Sequence, residues 1–254
     1  MNIKMIVTDL DGTLLREDKT VSQRTVSALE ECRAKGIKTV YATGRGGTSA
    51  NIAPVALFDG AVVNNGALAY VGDKLIYSKL IPIENVRNLL VACDNAGFGI
   101  SAECGGVHYV GVNAIAVWPW LQHFNHKVVD FNKHDIDVEK LYTTTDTPKV
   151  LDIIQQHLTN DIHLFESLDG YAMIMHKEAT KSSAISILAK HWNIKQKEII
   201  AFGDDMNDID LLEYSNIGIA MGNAIDDVKA AANEICDTND NDGLAKWLEE
   251  NVLL

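Results

Sequence analysis

Three things are scarce in this sequence: cysteine, positive charge and uninterrupted apolar runs. The four cysteines (Cys32, Cys93, Cys104 and Cys236) fall in no Cys-x-x-Cys pair and no Cys/His ligand spacing. They predict reduced thiols, with neither a disulfide framework nor a zinc site. Lys and Arg number 22 against 35 Asp and Glu, a formal charge of −13. A polyanionic phosphate backbone needs clustered cations, so nucleic-acid binding by bulk charge is disfavoured, as is an anionic membrane surface. No window approaches the roughly 18 consecutive apolar residues of a membrane span. The opening MNIKMIVTDLDGT brings two acids before any long apolar stretch, unlike a signal or transit peptide. A cytoplasmic protein is expected. No internal repeat, low-complexity tract or Walker-type GxxxxGK[ST] loop is found.

What is present is ordinary globular composition, 47% hydrophobic and 22% charged in 254 residues. At roughly 150 residues per domain this is about one and a half to two domains, enough for a real core. The first 80 residues alternate strand and helix signals. Met5-Ile6-Val7 is a short apolar run, and a helix follows over about Ser22 to Lys35, with Ser22 as N-cap and Gly36 as stop. Ile37 to Ala42 is a second strand, broken by Gly44 and Gly46-Gly47, and Ala61 to Val63 a third. Leu68 to Tyr70 and Leu75 to Tyr77 flank a Gly72-Asp73 hairpin turn. The C-terminal part alternates in the same way, with a helix over about Thr180 to Trp192, strands at Ile199 to Phe202 and Ile217 to Ala220, and a helix over Ile225 to Ala232 capped by Asn223. Such a pattern predicts a parallel sheet covered on both faces.

The middle, residues 83–177, groups its elements instead. A helix near Glu84 to Ala96, strands at Gly99 to Glu103, Val107 to Val112 and Glu139 to Thr145, and a helix opened by Thr147-Pro148 lead into a hairpin. That hairpin pairs Ile162 to Glu166 with Tyr171 to His176 around Leu168-Asp169-Gly170. The expected fold class is α/β, a core at 1–82 and 178–254 with a mainly parallel sheet and an α+β unit inserted at 83–177.

Polar residues collect at strand ends. Asp9 and Asp11 follow the first strand, Thr43 the second, and Asp204, Asp205 and Asp208 the Ile199 strand. In an open parallel sheet these are carboxyl ends, where ligands bind. Several carboxylates in one crevice repel unless a cation joins them, and oxygen ligands suit a hard ion such as Mg²⁺. Thr43-Gly44 offers a hydroxyl and backbone N–H groups at the start of a short helix, Lys181 a cation and Asn207 an amide, all fit for a phosphoryl group. Phosphoryl transfer is the chemistry this combination suggests: Asp9 as nucleophile, Asp11 as acid and base.

DLDGT at Asp9 to Thr13, ATGR at Ala42 to Arg45, Lys181 and GDDMND at Gly203 to Asp208 together resemble the haloacid dehalogenase superfamily. The Cof-type phosphatases look most similar, and that resemblance implies a Rossmann-like core with an inserted type IIB α/β cap. Asn64 to Ala67 (NNGA), Met221 to Ala224 (MGNA) and Asn241-Asp242-Gly243 also fit. The resemblance implies Asp9 and Asp11 as catalytic residues. It implies Asp9, the Asp11 backbone carbonyl, Asp204 and Asp208 at Mg²⁺, and Thr43, Gly44, Lys181 and Asn207 at the phosphoryl group. The third motif departs from the common Lys-Gly, reading Lys181-Ser182, which bears on the helix start rather than on the chemistry.

In the inserted unit Glu103, His108 and Tyr109 are candidates for substrate selection, against the plainer reading of a strand surface. Trp118, Trp120 and Phe124 are expected to pack as an aromatic cluster, and the histidines show no paired ligand spacing. The expected activity is Mg²⁺-dependent hydrolysis of a small phosphorylated metabolite (sugar phosphate, nucleotide or pyridoxal phosphate) by a monomer or weak homo-oligomer. A phosphomutase or phosphotransferase, and a non-catalytic metal- and phosphate-binding regulator, are the alternatives.

Overall fold

The computed structural model describes residues 2–46, 54–166 and 170–254. Of the turn residues expected from the sequence, Gly47, Leu168 and Asp169 lie outside them. The chain divides into two compact units, Met1–Ser78 with Thr180–Leu254, and Lys79–Ala179. No helix among the described residues is long and apolar enough to cross a membrane.

The first unit opens with β1 (Met5–Thr8), buried at every position. In α1 (Gln23–Ala34) the Ser22 side chain accepts the Thr25 N–H, satisfying one of the donors a helix start leaves open. Gly36 at φ +83° turns the chain out of the helix. Then come β2 (Lys38–Ala42), β3 (Gly60–Val63), β4 (Leu68–Val71) and β5 (Lys74–Ser78).

The inserted unit carries α2 (Ile83–Asn95), β6 (Ile100–Cys104), β7 (Val107–Val110), α3 (Ala114–Val117), β8 (His126–Val128), β9 (Lys140–Thr144), α4 (Pro148–His157), β10 (Ile162–Glu166) and β11 (Tyr171–His176). Its sheet runs β10-β11-β9-β6-β7-β8, antiparallel except for the β7–β8 pair. Strand positions of one parity, Ile100, Ala102, Leu141, Ala172 and Ile174, join Val86, Leu89 and Leu90 of α2 and Val150 and Ile154 of α4 in one core. A smaller cluster gathers Val110, Ala114, Trp118 and Leu121, with Trp120 and Tyr142 against it. β7 ends two residues short of the expected Val112, because at Gly111 the backbone closes on Asp94; a Cβ there would lie 2.0 Å from its Oδ1.

Back in the first unit follow α5 (Lys181–His191), β12 (Ile199–Gly203), α6 (Ile209–Tyr214), β13 (Ile217–Ala220), α7 (Asp226–Ala231), β14 (Glu234–Ile235) and α8 (Gly243–Leu248). The sheet order is β14-β13-β12-β1-β2-β3-β4-β5. It is parallel from β14 to β3, and β3, β4 and β5 meander antiparallel. Thr8 is in register with both Phe202 and Tyr41, so the chain leaves β1, β2 and β12 at one sheet edge.

One expected cap is corrected. Asn223 does not cap α7, whose N-cap residue is Ile225, with no side-chain bond. The Asn223 amide instead donates to Gly12 O at 2.8 Å and accepts the Asn239 N–H at 3.0 Å. Asp226 and Asp227 supply negative charge in the helix's first turn.

Candidate active site

Asp9 is the first residue beyond β1, with its N–H on Phe202 O of β12 at 3.1 Å. Its Oδ1 accepts from Lys181 Nζ at 2.6 Å, and the same ammonium reaches Asp208 Oδ1 at 2.5 Å. Lys181 is 1% exposed and Asp208 fully buried. A buried lysine survives only when paired, and here two carboxylates hold it. The second Asp208 oxygen accepts the N–H groups of Asp204 and Asp205 at 3.0 and 3.1 Å, closing the turn after β12. Gly203 makes room for this turn, since a Cβ there would lie 2.4 Å from Asp208 Cβ.

Asp204 is held from the other side. Thr13 Oγ1 donates to its Oδ1 at 2.6 Å. Gly12, at φ +75°, runs so close that a Cβ would stand 2.2 Å from Asp204 Oδ2. Both devices need the residue types of the DLDGT motif, a hydroxyl at 13 and glycine at 12.

One carboxylate oxygen each of Asp9, Asp204 and Asp208 lies within 4.8 Å of the others. Burial first, then the Asp208 and Asp204 charges, push the Asp9 carboxyl well above its ordinary range despite Lys181. Burial likewise pushes Asp204 up to about 7. For Lys181 burial works against the charge, but Asp208 and Asp9 outweigh it and raise the ammonium pKa. Three carboxylates facing one ammonium leave a site short of positive charge. Its all-oxygen donors fit a hard divalent ion better than a soft one.

Asp11 stands apart from this trio. Its carboxylate is forked by Arg45, through Nε and through Nη2 at 2.7 Å, and Lys19 Nζ lies 2.9 Å from Oδ1. Burial raises its pKa, but the hydrogen bonds and charges of Arg45 and Lys19 outweigh that and hold it below the usual range.

Thr43 follows β2, fully buried, and its Oγ1 accepts the Arg45 N–H at 3.1 Å, so its own proton remains to donate. Residues 43–46 are not helical, and the stretch that would carry the expected short helix, 47–53, lies outside the described residues. Asn207 Nδ2 donates to Asn65 Oδ1 at 2.8 Å, and Gly44 packs against both amides. Thr43, Gly44 and Asn207 therefore meet beside Asn65, to which sequence reasoning assigns no role. Its signal is the NNG triplet: Asn64, Asn65 and Gly66 take φ of +49°, +52° and +102°, a left-handed turn that asparagine and glycine tolerate. Arg45 and Lys19 likewise gain their roles only from the structure. Asp205 is exposed and accepts the N–H of Met206 at 2.7 Å.

In the inserted unit Glu103 and His108 are cross-strand neighbours. Buried Glu103 pairs with buried Lys140 at 3.5 Å. His108 Nδ1 is 3.0 Å from Ser101 Oγ, and its ring lies edge-on to Phe124 and Trp120. Tyr109 points to the other face, against the α2/α4 core, with its ring 4.7 Å from His134. The aromatic cluster is present: Trp118 stacks on Trp120 at 5.5 Å, and Tyr142 on Tyr171 at 4.8 Å.

Known proteins share both sequence and fold with this chain. The family model for haloacid dehalogenase-like hydrolases matches residues 6–248. The 5-amino-6-(5-phospho-D-ribitylamino)uracil phosphatase YitU of Bacillus subtilis is 28% identical over 274 residues, covering 97% of this chain and 96% of that protein. A sugar phosphatase of HAD subclass IIB superimposes with a TM-score of 0.83 at 28% identity, over 99% of this chain and 100% of that one. A HAD phosphatase of Bacteroides thetaiotaomicron gives 0.84 at 28% identity, over 98% and 94%. With the family model spanning nearly the whole chain, and β1, β2 and β12 delivering its motifs to one sheet edge, the chain belongs to the haloacid dehalogenase-like hydrolases.

Proposed function

We propose that this protein is an Mg²⁺-dependent phosphatase that hydrolyses a small phosphorylated metabolite through an aspartyl-phosphate on Asp9. The observation that carries the reading is the buried Lys181 ammonium shared by Asp9 and Asp208, with Asp204 completing a trio of oxygens within 4.8 Å. Asp9, Asp204, Asp208 and the Asp11 carbonyl would hold the ion, which supplies charge neutralisation for an incoming phosphoryl group.

The chain's own residues do the rest. Lys181 lies against the Asp9 carboxylate and favours its ionised form, offsetting part of the pressure of burial; the ion would supply the remainder. Thr43, Gly44 and Asn207 offer a hydroxyl, a backbone N–H and an amide to the phosphoryl oxygens. Asp9 attacks phosphorus, the bond to the leaving oxygen breaks, and Asp11 protonates that oxygen. Asp11 then takes a proton from water as the water attacks phosphorus, freeing Asp9 and orthophosphate. The Arg45 and Lys19 fork favours the ionised, proton-accepting form of Asp11 that the second step uses; the first step needs the protonated acid, so it requires that this fork be released when substrate binds.

The inserted unit, bounded at residues 83–177 by the sequence pattern, serves as the cap that selects the leaving group. Glu103 and His108 are its candidate selectors, with Tyr109 set on the opposite face. A sugar or polyol phosphate is supported by the names of two relatives, a sugar phosphatase and a phosphoribitylamino-uracil phosphatase; nucleotides and pyridoxal phosphate belong in the same screen. Four free cysteines support a place in the cytoplasm, and the protein works as a monomer or weak homo-oligomer.

The test is orthophosphate release from p-nitrophenyl phosphate and a panel of phosphorylated metabolites, with and without Mg²⁺. The expected result is Mg²⁺-dependent release that Asp9→Asn abolishes. Phosphoryl transfer to an added acceptor in place of free orthophosphate would assign the chain to the phosphotransferases, and no turnover in any condition would make it a binding protein.

A further inference from the structure

The proposed mechanism rests on a lysine whose two ends are fixed by different groups. The ammonium end is accounted for by Asp9 and Asp208. The backbone end is the first residue of α5, and a cation there is misplaced: a helix N-terminus is the positive end of its dipole and leaves four N–H donors open. Thr180, the N-cap residue, accepts the Ser183 N–H through Oγ1 at 3.2 Å. The Ser182 N–H is met from outside the helix, by Asp210 Oδ2 at 2.9 Å. Asp210 lies in the first turn of α6, two residues beyond Asp208. The start of α6 thus grips the start of α5 twice, by the Asp208 carboxylate on the Lys181 side chain and by the Asp210 carboxylate on the next peptide. From the other side Gly66 presses on the Thr180 backbone, whose carbonyl oxygen would be 2.0 Å from a Cβ at that position.

We propose that Asp210 is a positioning residue for Lys181. Its carboxylate satisfies the Ser182 N–H and offsets the positive end of α5, so that the Lys181 backbone stays where the extended side chain reaches both Asp9 and Asp208. Asp210 touches neither ammonium nor nucleophile and acts through the helix start. The assignment deepens the phosphatase reading and rests on it for its kinetic consequence, though not for its structural one.

The test compares Asp210→Ala with Asp210→Asn, whose amide oxygen keeps the acceptor. With p-nitrophenyl phosphate and saturating Mg²⁺, Asp210→Ala is expected to lower kcat about fivefold with KM within about twofold. Asp210→Asn is expected to restore most of the loss. An Asp210→Ala variant whose Tm falls while kcat stays put makes Asp210 a plain helix cap and overturns the proposal. So does an Asp210→Asn variant as impaired as Asp210→Ala. The crystal structure of Asp210→Ala gives an answer without turnover: the α5 start should move and Lys181 Nζ should lose one of its two carboxylates, whereas an unmoved lysine overturns the proposal. Should the wild type itself release no phosphate, the phosphatase reading fails, and that crystal structure still decides the role of Asp210.

Discussion

In the core unit, Asp208 joins the α5 lysine to the turn after β12, and that lysine reaches Asp9, 172 positions away in sequence. In the inserted unit, Glu103 meets Lys140 on the neighbouring strand, and His108 meets Ser101 across a hairpin. Buried polar groups occur in both, but they are arranged differently. The core's groups tie remote segments into one network, so removing one disturbs charges supplied by several others. The inserted unit's groups pair within one sheet, where a substitution strands its neighbour on the adjacent strand. The core's polar groups thus depend on the whole of that unit's fold, and those of the inserted unit on its own sheet.

The hardest blow to this contrast falls on the nucleophile. Asp9→Asn should lower orthophosphate release by at least about a thousandfold with an unchanged circular dichroism spectrum; turnover near wild type would remove the core's claim to the chemistry. Next comes Gly12→Ala, whose Cβ must displace Asp204 from a 2.2 Å contact at φ +75°. Calorimetric titration should show Mg²⁺ affinity reduced by about 10–100-fold. In the inserted unit Leu141→Ala, at a fully buried core position, should cost about 2–4 kcal/mol. That cost should appear in calorimetry as earlier melting of this unit, with the Asp9 network left intact.

The smallest effect concerns pH. Asp204 is raised from 3.8 to about 7 in the folded, metal-free site, so the folded state binds its proton more tightly than the unfolded chain does. The Asp204 contribution to the stability of the metal-free protein then falls as pH rises through that window. With a chelator present, Tm relative to that of Asp204→Asn should decline between the two values, and added Mg²⁺ should recover more at the high end than at the low end. A metal-free Tm whose pH dependence Asp204→Asn leaves unchanged would contradict the carboxylate cluster.

Much of the core was legible in the sequence because its signals are local. A short apolar run stopped by Thr8-Asp9, and another stopped by Gly203-Asp204, give strand ends directly. Parallel alternation then places those ends together. Asn65, Lys19 and Asp210 were not legible, since each acts on a residue 8 to 142 positions away with no spacing signal to mark it: Asn207, Asp11 and Ser182 are partners only once the fold exists. Asn223 misled for a related reason. An asparagine ahead of a helix usually caps it, but two backbone partners from other segments captured its amide. In the inserted unit the stretch from Ala114 to Val128 carries one short helix, a 3₁₀ turn and a three-residue strand, pieces too brief to leave a periodic signal.

The chain crosses back into the core at Ala179/Thr180, one residue before the lysine that Asp9 and Asp208 share. That proximity sets a rule for exchanging modules. A foreign unit spliced between Ser78 and Thr180 leaves the Thr180 cap, the Gly66 contact and Lys181 in native hands. A junction placed a few residues later would replace the cap and the lysine's own anchorage, and the chimera would lose the ammonium that ties Asp9 to Asp208.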